Sequence, residues 1–225
     1  MAFSPAQAAI GNSGVGSSFT ASFGSNNTAG NLITLVVESL TATPGVSDSQ
    51  GNTYTLIDNI STGWFYYAYN IKGGANTITV TGLSNPISFL AIEWPTIITT
   101  NPLDVHNVQS QSLTSGANTL SSPSVTTTYT NELVVGWCAG VGGVGSPTVT
   151  VGSGFGNFAD EAQAGSPYAN SALENLSSTS IASETATFNV TVGTTVIWYC
   201  GVATFKGVSS TIGVTHNLAS LGVGS

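Results

Sequence analysis

Thr77-Ile78-Thr79-Val80-Thr81, followed after a Gly-Leu-Ser-Asn-Pro break by Ile87-Ser88-Phe89-Leu90-Ala91-Ile92-Glu93-Trp94, decides how this chain is read. The first run alternates Thr with Ile or Val, the period-two pattern of a strand, and the second is an apolar run of strand length. Runs of the same kind fall at 18–23, 32–40, 53–57, 64–71, 133–139, 147–151, 168–176, 185–192 and 195–205, bounded by Gly, Asn, Ser and Pro clusters. Helical periodicity is almost absent. The spacing predicts an all-β protein, a β-sandwich in the first place.

The same order of segments occurs twice. Asn31-Leu32 opens an apolar strand in the first half, and Glu132-Leu133 opens one in the second. Each is followed by a Gly-containing turn (residues 46–52 and 151–157), a Tyr-led strand (66–71 and 168–173), a Thr-rich alternating strand (77–81 and 185–190) and a closing apolar strand (87–94 and 196–205). A repeat this long, present only twice, suggests pseudo-twofold duplication within one sandwich rather than a solenoid array. Two Greek keys facing each other would form a jelly roll. The expected boundaries are a loose or extended N-terminal arm at 1–17, a jelly-roll-like sandwich at 18–206 with halves of about 18–98 and 129–206, and a C-terminal arm at 207–225. The polar crossover at 99–128 is expected to add strands near 104–108 and 124–128.

Charge narrows the setting. The 225 residues include ten acids and two lysines, Lys72 and Lys206, and no arginine, for a net charge of −8. Ordinary domains are about 25% charged, against 5% here. So few cations speak against nucleic acid, whose binding needs several Lys or Arg contacts. No apolar run approaches the roughly 20 residues of a membrane-spanning helix. The opening Met1-Ala2-Phe3-Ser4-Pro5 has neither the basic nor the apolar region of a secretory signal. The expectation is a chain whose signal has been removed, or one released by lysis as virion proteins are.

The segments Thr28-Ala29-Gly30-Asn31-Leu32-Ile33, Asp48-Ser49-Gln50-Gly51-Asn52-Thr53-Tyr54, Tyr66-Tyr67-Ala68 and Gly73-Gly74-Ala75-Asn76-Thr77-Ile78-Thr79-Val80 carry a resemblance. So do Asn131-Glu132-Leu133-Val134-Val135-Gly136, Gly152-Ser153-Gly154-Phe155 and Ala203-Thr204-Phe205-Lys206. Over residues 18–206 the chain resembles uncharacterised β-sandwich modules of bacterial extracellular and phage structural proteins. The resemblance implies a fold and an exported setting, and no activity.

Candidate chemistry is sparse. The Asp48–Asn52 turn offers hard oxygen ligands for calcium, but lacks the EF-hand spacing and reads as a turn. The Asp160-Glu161 pair alone is too little to hold calcium. Glu38, Glu93, Glu132 and Glu174 are the carboxylates from which a glycosidase pair would come, though nothing in the spacing selects two. His106 and His216 have no partner at zinc-ligand spacing. Gly152-Ser153-Gly154 lacks a nucleophile-elbow frame, and the glycines at 140–145 are not followed by Lys-Ser/Thr. No catalytic residue, cofactor or metal is therefore expected. Sequons at Asn26, Asn59, Asn175 and Asn189 allow glycosylation and do not demand it.

Three features point to contacts. In the aromatic run 64–69, alternation puts Trp64 and Tyr66 on one face and Phe65, Tyr67 and Tyr69 on the other. One face enters the core, and the other either stacks on sugar rings or is buried by a covering strand or a neighbouring subunit; Trp64 and Tyr66 are the candidate glycan or partner contact residues. Cys138 and Cys200 lie in the first and last strands of the second half, either as a cross-sheet disulfide or as two buried thiols. Ile212, Val214, Leu218, Leu221 and Val223 dot the C-terminal arm, which is expected to pack along a neighbouring subunit. Together these favour a non-enzymatic structural subunit displayed on a virion, as a capsid decoration (cement) or tail component, with itself and other proteins of the assembly as partners. The alternatives are a glycan-binding or adhesive extracellular module and an extracellular filament protomer.

Overall fold

A computed structural model describes residues 2–13, 16–40, 43–83, 86–143, 145–164 and 167–208. The chain is all-β, as expected, with eighteen strands among these residues. The first half supplies β1 (Gln7–Ser13), β2 (Ser18–Ser22), β3 (Leu32–Ser39), β4 (Gly45–Asp48), β5 (Thr55–Ile60), β6 (Gly63–Ala68), β7 (Thr77–Thr81) and β8 (Ile87–Trp94). The second begins with β9 (Leu103–Leu113), β10 (Gly116–Ser121), the short β11 (Val125–Thr126), β12 (Glu132–Gly142) and β13 (Thr148–Val151). It continues with β14 (Gly156–Gln163), β15 (Tyr168–Ser178), the short β16 (Ser183–Glu184), β17 (Thr187–Val192) and β18 (Val196–Lys206).

The first half forms a five-stranded sheet, β1-β8-β3-β6-β5, and a three-stranded sheet, β2-β7-β4. The second half forms β9-β18-β12-β15-β14 and β10-β17-β13, with β11 and β16 as a small extra pair. With β9 in the place of β1, β10 of β2, β12 of β3 and so on to β18 for β8, the two halves have the same strand order. Each half thus builds its own pair of sheets. The expectation of a single sandwich shared between the halves is corrected to this extent, and the crossover belongs to the second unit as β9 to β11.

Three apolar cores hold the layers together. One lies within the first half, where Ile78 and Val80 of β7 meet Ile33, Leu35 and Val37 of β3. Another lies within the second, where Phe188 and Val190 of β17 meet Val134, Cys138, Trp198 and Val202. The third joins the halves: Leu32, Val36, Phe65, Leu90 and Trp94 pack against Leu133, Trp137, Leu173, Tyr199 and Phe205. The order of layers is therefore three strands, five, five and three. Because side chains alternate between faces, a sheet covered on both sides must be apolar on both. That is why β3 and β8 are buried along their whole length, while β17 alternates.

Of the two forms expected for the N-terminal arm, loose or extended, residues 7–13 take the extended one, as a strand of the first-half sheet. Gln7–Ser13 pairs in antiparallel register with β8, from Gln7 opposite Glu93 to Ser13 opposite Ile87. Its Gln-Ala-Ala-Ile-Gly-Asn-Ser sequence has little β-branched content, so it gives a weak strand signal; its place comes from the ladder offered by β8. Ahead of it, Phe3 is 3% exposed and belongs to the core that joins the halves. Ile212, Val214, Leu218, Leu221 and Val223 lie outside the described residues.

Candidate functional site

The aromatic strand resolves differently from a contact platform. Trp64 is 2% and Tyr66 5% exposed, and both sit in the first-half core. The Tyr66 hydroxyl donates to the Pro44 carbonyl at 2.9 Å. Phe65, on the other face, stacks on Trp137 across the junction at 5.4 Å between ring centres. The reason is the position of β6 inside a five-stranded sheet with a layer on each side. Trp64 and Tyr66 are core residues, and neither presents a surface to a glycan.

The cysteines stand directly opposite one another in the register of β12 and β18. They are neighbours within one sheet rather than across two, and both are buried free thiols. Burial pushes both thiols well above their ordinary range. Thiolate, the form that attacks and binds metals, is thus disfavoured.

The four glutamates are dispersed, and three of them, Glu93, Glu132 and Glu174, are held by hydrogen bonds. Glu93 is 1% exposed and accepts from Gln7 Nε2 (2.7 Å), Asn27 Nδ2 (2.6 Å), Thr28 N (2.8 Å) and Asn31 Nδ2 (2.7 Å). It ties β1, β8 and the loop entering β3 into one hub. At the matching place in the second half, Glu132 accepts from Tyr129 N, and Asp104 from the backbone and hydroxyl of Thr128. Glu174 accepts from Gly152 N at 2.8 Å and Thr187 N at 3.3 Å, yet burial outweighs these bonds and its carboxyl is pushed up to about 7. Glu38 is sealed among Gly63, Ala139 and Tyr199, with both oxygens lacking a hydrogen-bond partner among the described residues. Burial holds it well above the usual carboxylate value, and nearby Thr62 offsets only part of this.

Asp48 is the anchor of a turn. Its carboxylate accepts from Gln50 N, Asn52 N, Asn52 Nδ2, Tyr54 Oη and Asn76 Nδ2, at 2.8 to 3.2 Å. Burial alone would raise its pKa, but these donors prevail and lower it. Such saturation is what a turn needs, and it uses the oxygens a cation would take. Among the described residues no three His, Cys, Asp or Glu side chains are grouped to hold a metal.

His106 Nδ1 lies 2.9 Å from Asp58 Oδ1, the one pair of oppositely charging groups within 4.0 Å among the described residues, and it links β9 to β5. Glu161 receives the Asn12 side chain in a second bond between the halves. His216 lies outside the described residues. Lys206 Nζ donates to the Asn101 carbonyl at 3.1 Å and sits over the Tyr129 ring.

The cleft on the surface of the first half was not signalled by any motif. It is about 380 Å³ and is lined by Asn52, Thr53, Tyr69, Asn70 and Lys72, among others. Two turns build it. Gly51 at φ 67° and Asn70 at φ 49° take left-handed conformations that Gly and Asn tolerate. The walls are clasped by Lys72 N donating to Asn52 Oδ1 at 2.8 Å.

No family model, curated protein or solved structure matches this chain. The geometry therefore stands by itself. It offers dispersed carboxylates, buried thiols, an aromatic core strand and an open polar cleft.

Proposed function

We propose that the chain is a non-enzymatic structural subunit displayed on a virion, as a capsid decoration or tail component assembling through its sandwich faces and C-terminal arm. On this reading the two halves are jelly-roll-like units related by duplication. One observation carries it: the outer faces of both three-stranded sheets are neutral. Thr20, Thr79 and Ser47 lie in one row across β2, β7 and β4. Thr119, Asn189 and Thr150 lie in the matching row across β10, β17 and β13. Such faces can lie against neutral neighbours without burying an unpaired charge, which is costly. A filament protomer would use the same faces with a different symmetry.

The arm starts from a fixed point, since Val208 N donates to Thr96 O and Asn131 Nδ2 to Val208 O. Residues 209–225, with Ile212, Val214, Leu218, Leu221 and Val223, then supply apolar contacts to a neighbour. Assembly is to be compared by sedimentation for the full chain, a Thr20→Glu/Thr150→Glu variant and a chain ending at Val208. Both changes are expected to leave the β circular-dichroism spectrum intact and to reduce the assembled fraction severalfold. Unchanged assembly in both would contradict the proposal.

A further inference from the structure

We propose that the cleft between the turns at 51–55 and 69–72 binds a carboxylate-bearing saccharide. This site is independent of the virion reading and holds for the isolated chain.

Its floor is an aromatic platform already fixed in place. Tyr69 is 39% exposed, and its ring stacks on Tyr67 at 5.8 Å and 19°. Tyr67 in turn leans on Phe205 at 5.8 Å in the core that joins the halves. The C–H face of a pyranose can stack on such a ring while the phenol remains wet. Little conformational entropy is then lost on binding.

The walls supply oriented polar groups. Asn52 is held by two bonds, Nδ2 to Asp48 Oδ2 at 2.8 Å and Oδ1 from Lys72 N at 2.8 Å. An amide nitrogen has two N–H groups, so one remains for a ligand hydroxyl. Lys72 Nζ donates to the Gly51 carbonyl at 3.3 Å. No carboxylate lies within 4.0 Å of it among the described residues. One of only two cations in a chain of net charge −8 thus stands over the cleft without an acidic partner. A single ammonium acts as a point charge for one anionic group, and a carboxylate carries the single charge that it balances.

The second half shows what the same place looks like when closed. Tyr69 lies one residue beyond the Ile33–Ala68 pair, and Ser177 holds the matching position beyond Val134–Leu176. There the chain's own N-terminal segment fills the space: Phe3 N donates to Ser177 Oγ at 2.8 Å, and Asn175 Nδ2 to Phe3 O at 3.1 Å. The first half has Tyr69 and open solvent instead.

The test uses the full chain on an array of uronate- and sialate-bearing oligosaccharides beside neutral counterparts. Titration follows by NMR with the best acidic ligand, its neutral counterpart and a poly-glutamate peptide. Acidic saccharides are expected to shift the amides of residues 51–55 and 69–72. Tyr69→Ala should weaken them roughly tenfold. Lys72→Gln should weaken the acidic ligand roughly tenfold and leave the neutral one unchanged. Both side chains are exposed, and circular dichroism checks that the variants fold. The proposal is overturned if no acidic saccharide binds, if shifts map elsewhere, or if the peptide binds as tightly as the sugar.

Discussion

Replacing Trp137 by alanine is expected to destabilise the protein by about 3–5 kcal/mol, the usual cost of truncating a fully buried Trp. For a chain of this size that corresponds to a fall in Tm of roughly 6–20 °C. Trp137 is 0% exposed and stacks on Phe65 of the other half with ring planes 15° apart. It has no room to be replaced by a shifted neighbour, because Gly201 lies beneath it so closely that a Cβ there would come within 2.2 Å of the indole. The indole Nε1 has no hydrogen-bond partner among the described residues, so the side chain acts through packing. Trp137→Phe, which keeps the stack, should therefore cost much less than Trp137→Ala. Thermal unfolding followed by circular dichroism reads both. A loss below about 1 kcal/mol in Trp137→Ala would mean that the halves are not joined through this core.

The second large effect is on pH dependence. The Glu174 carboxyl sits at about 7 in the folded chain, above the unfolded value of about 4.3. Between those values the folded state binds more protons than the unfolded one, so stability falls as pH rises. The contribution is complete below about pH 4 and lost above about pH 7, on the order of 3–4 kcal/mol. Glu38, also raised by burial, adds to the fall in the same direction. Asp48 is lowered, so its contribution is present above the unfolded aspartate value and is lost as pH falls through its folded one. Urea unfolding at pH 4, 5.5, 7 and 8 should show stability decreasing over this range in the native chain and a shallower decrease in Glu174→Gln. Equal slopes would contradict the burial account. The variant should also be weaker at pH 4 by about 1 kcal/mol, because its amide can accept from only one of the two backbone N–H groups.

Much of the fold was legible because strand burial leaves a period-two trace. Thr77–Thr81 shows Ile78 and Val80 inward, as its alternation predicts. The edge strands were harder: Gln7–Ser13 and Leu103–Leu113 are polar over much of their length, and their pairing partners define them. Alternation placed Trp64 and Tyr66 together on one face, and they do share one core. Alternation does not say how many layers cover a sheet, and for β6 a second layer leaves no solvent face. The Asp48 turn was legible from its Asp, Gly and Asn content. The cleft was not, since Asn52 and Lys72 are twenty positions apart and meet only after β5 and β6 pair. Its traces in the sequence are Tyr69, the last outward residue of the aromatic run, and Lys72, just past the strand end.

The charge depletion takes its meaning from these layers. The buried Glu93 is tied by the neutral donors Gln7, Asn27 and Asn31, and the outer faces present hydroxyls. The reading as an assembly subunit is tested most directly by electron microscopy of particles purified from the source, with mass spectrometry of the same fraction. The account predicts that the chain co-purifies with virions and occupies repeated surface or tail positions as a four-layered body. Recovery only as a free monomer, absent from every particle fraction, would contradict it.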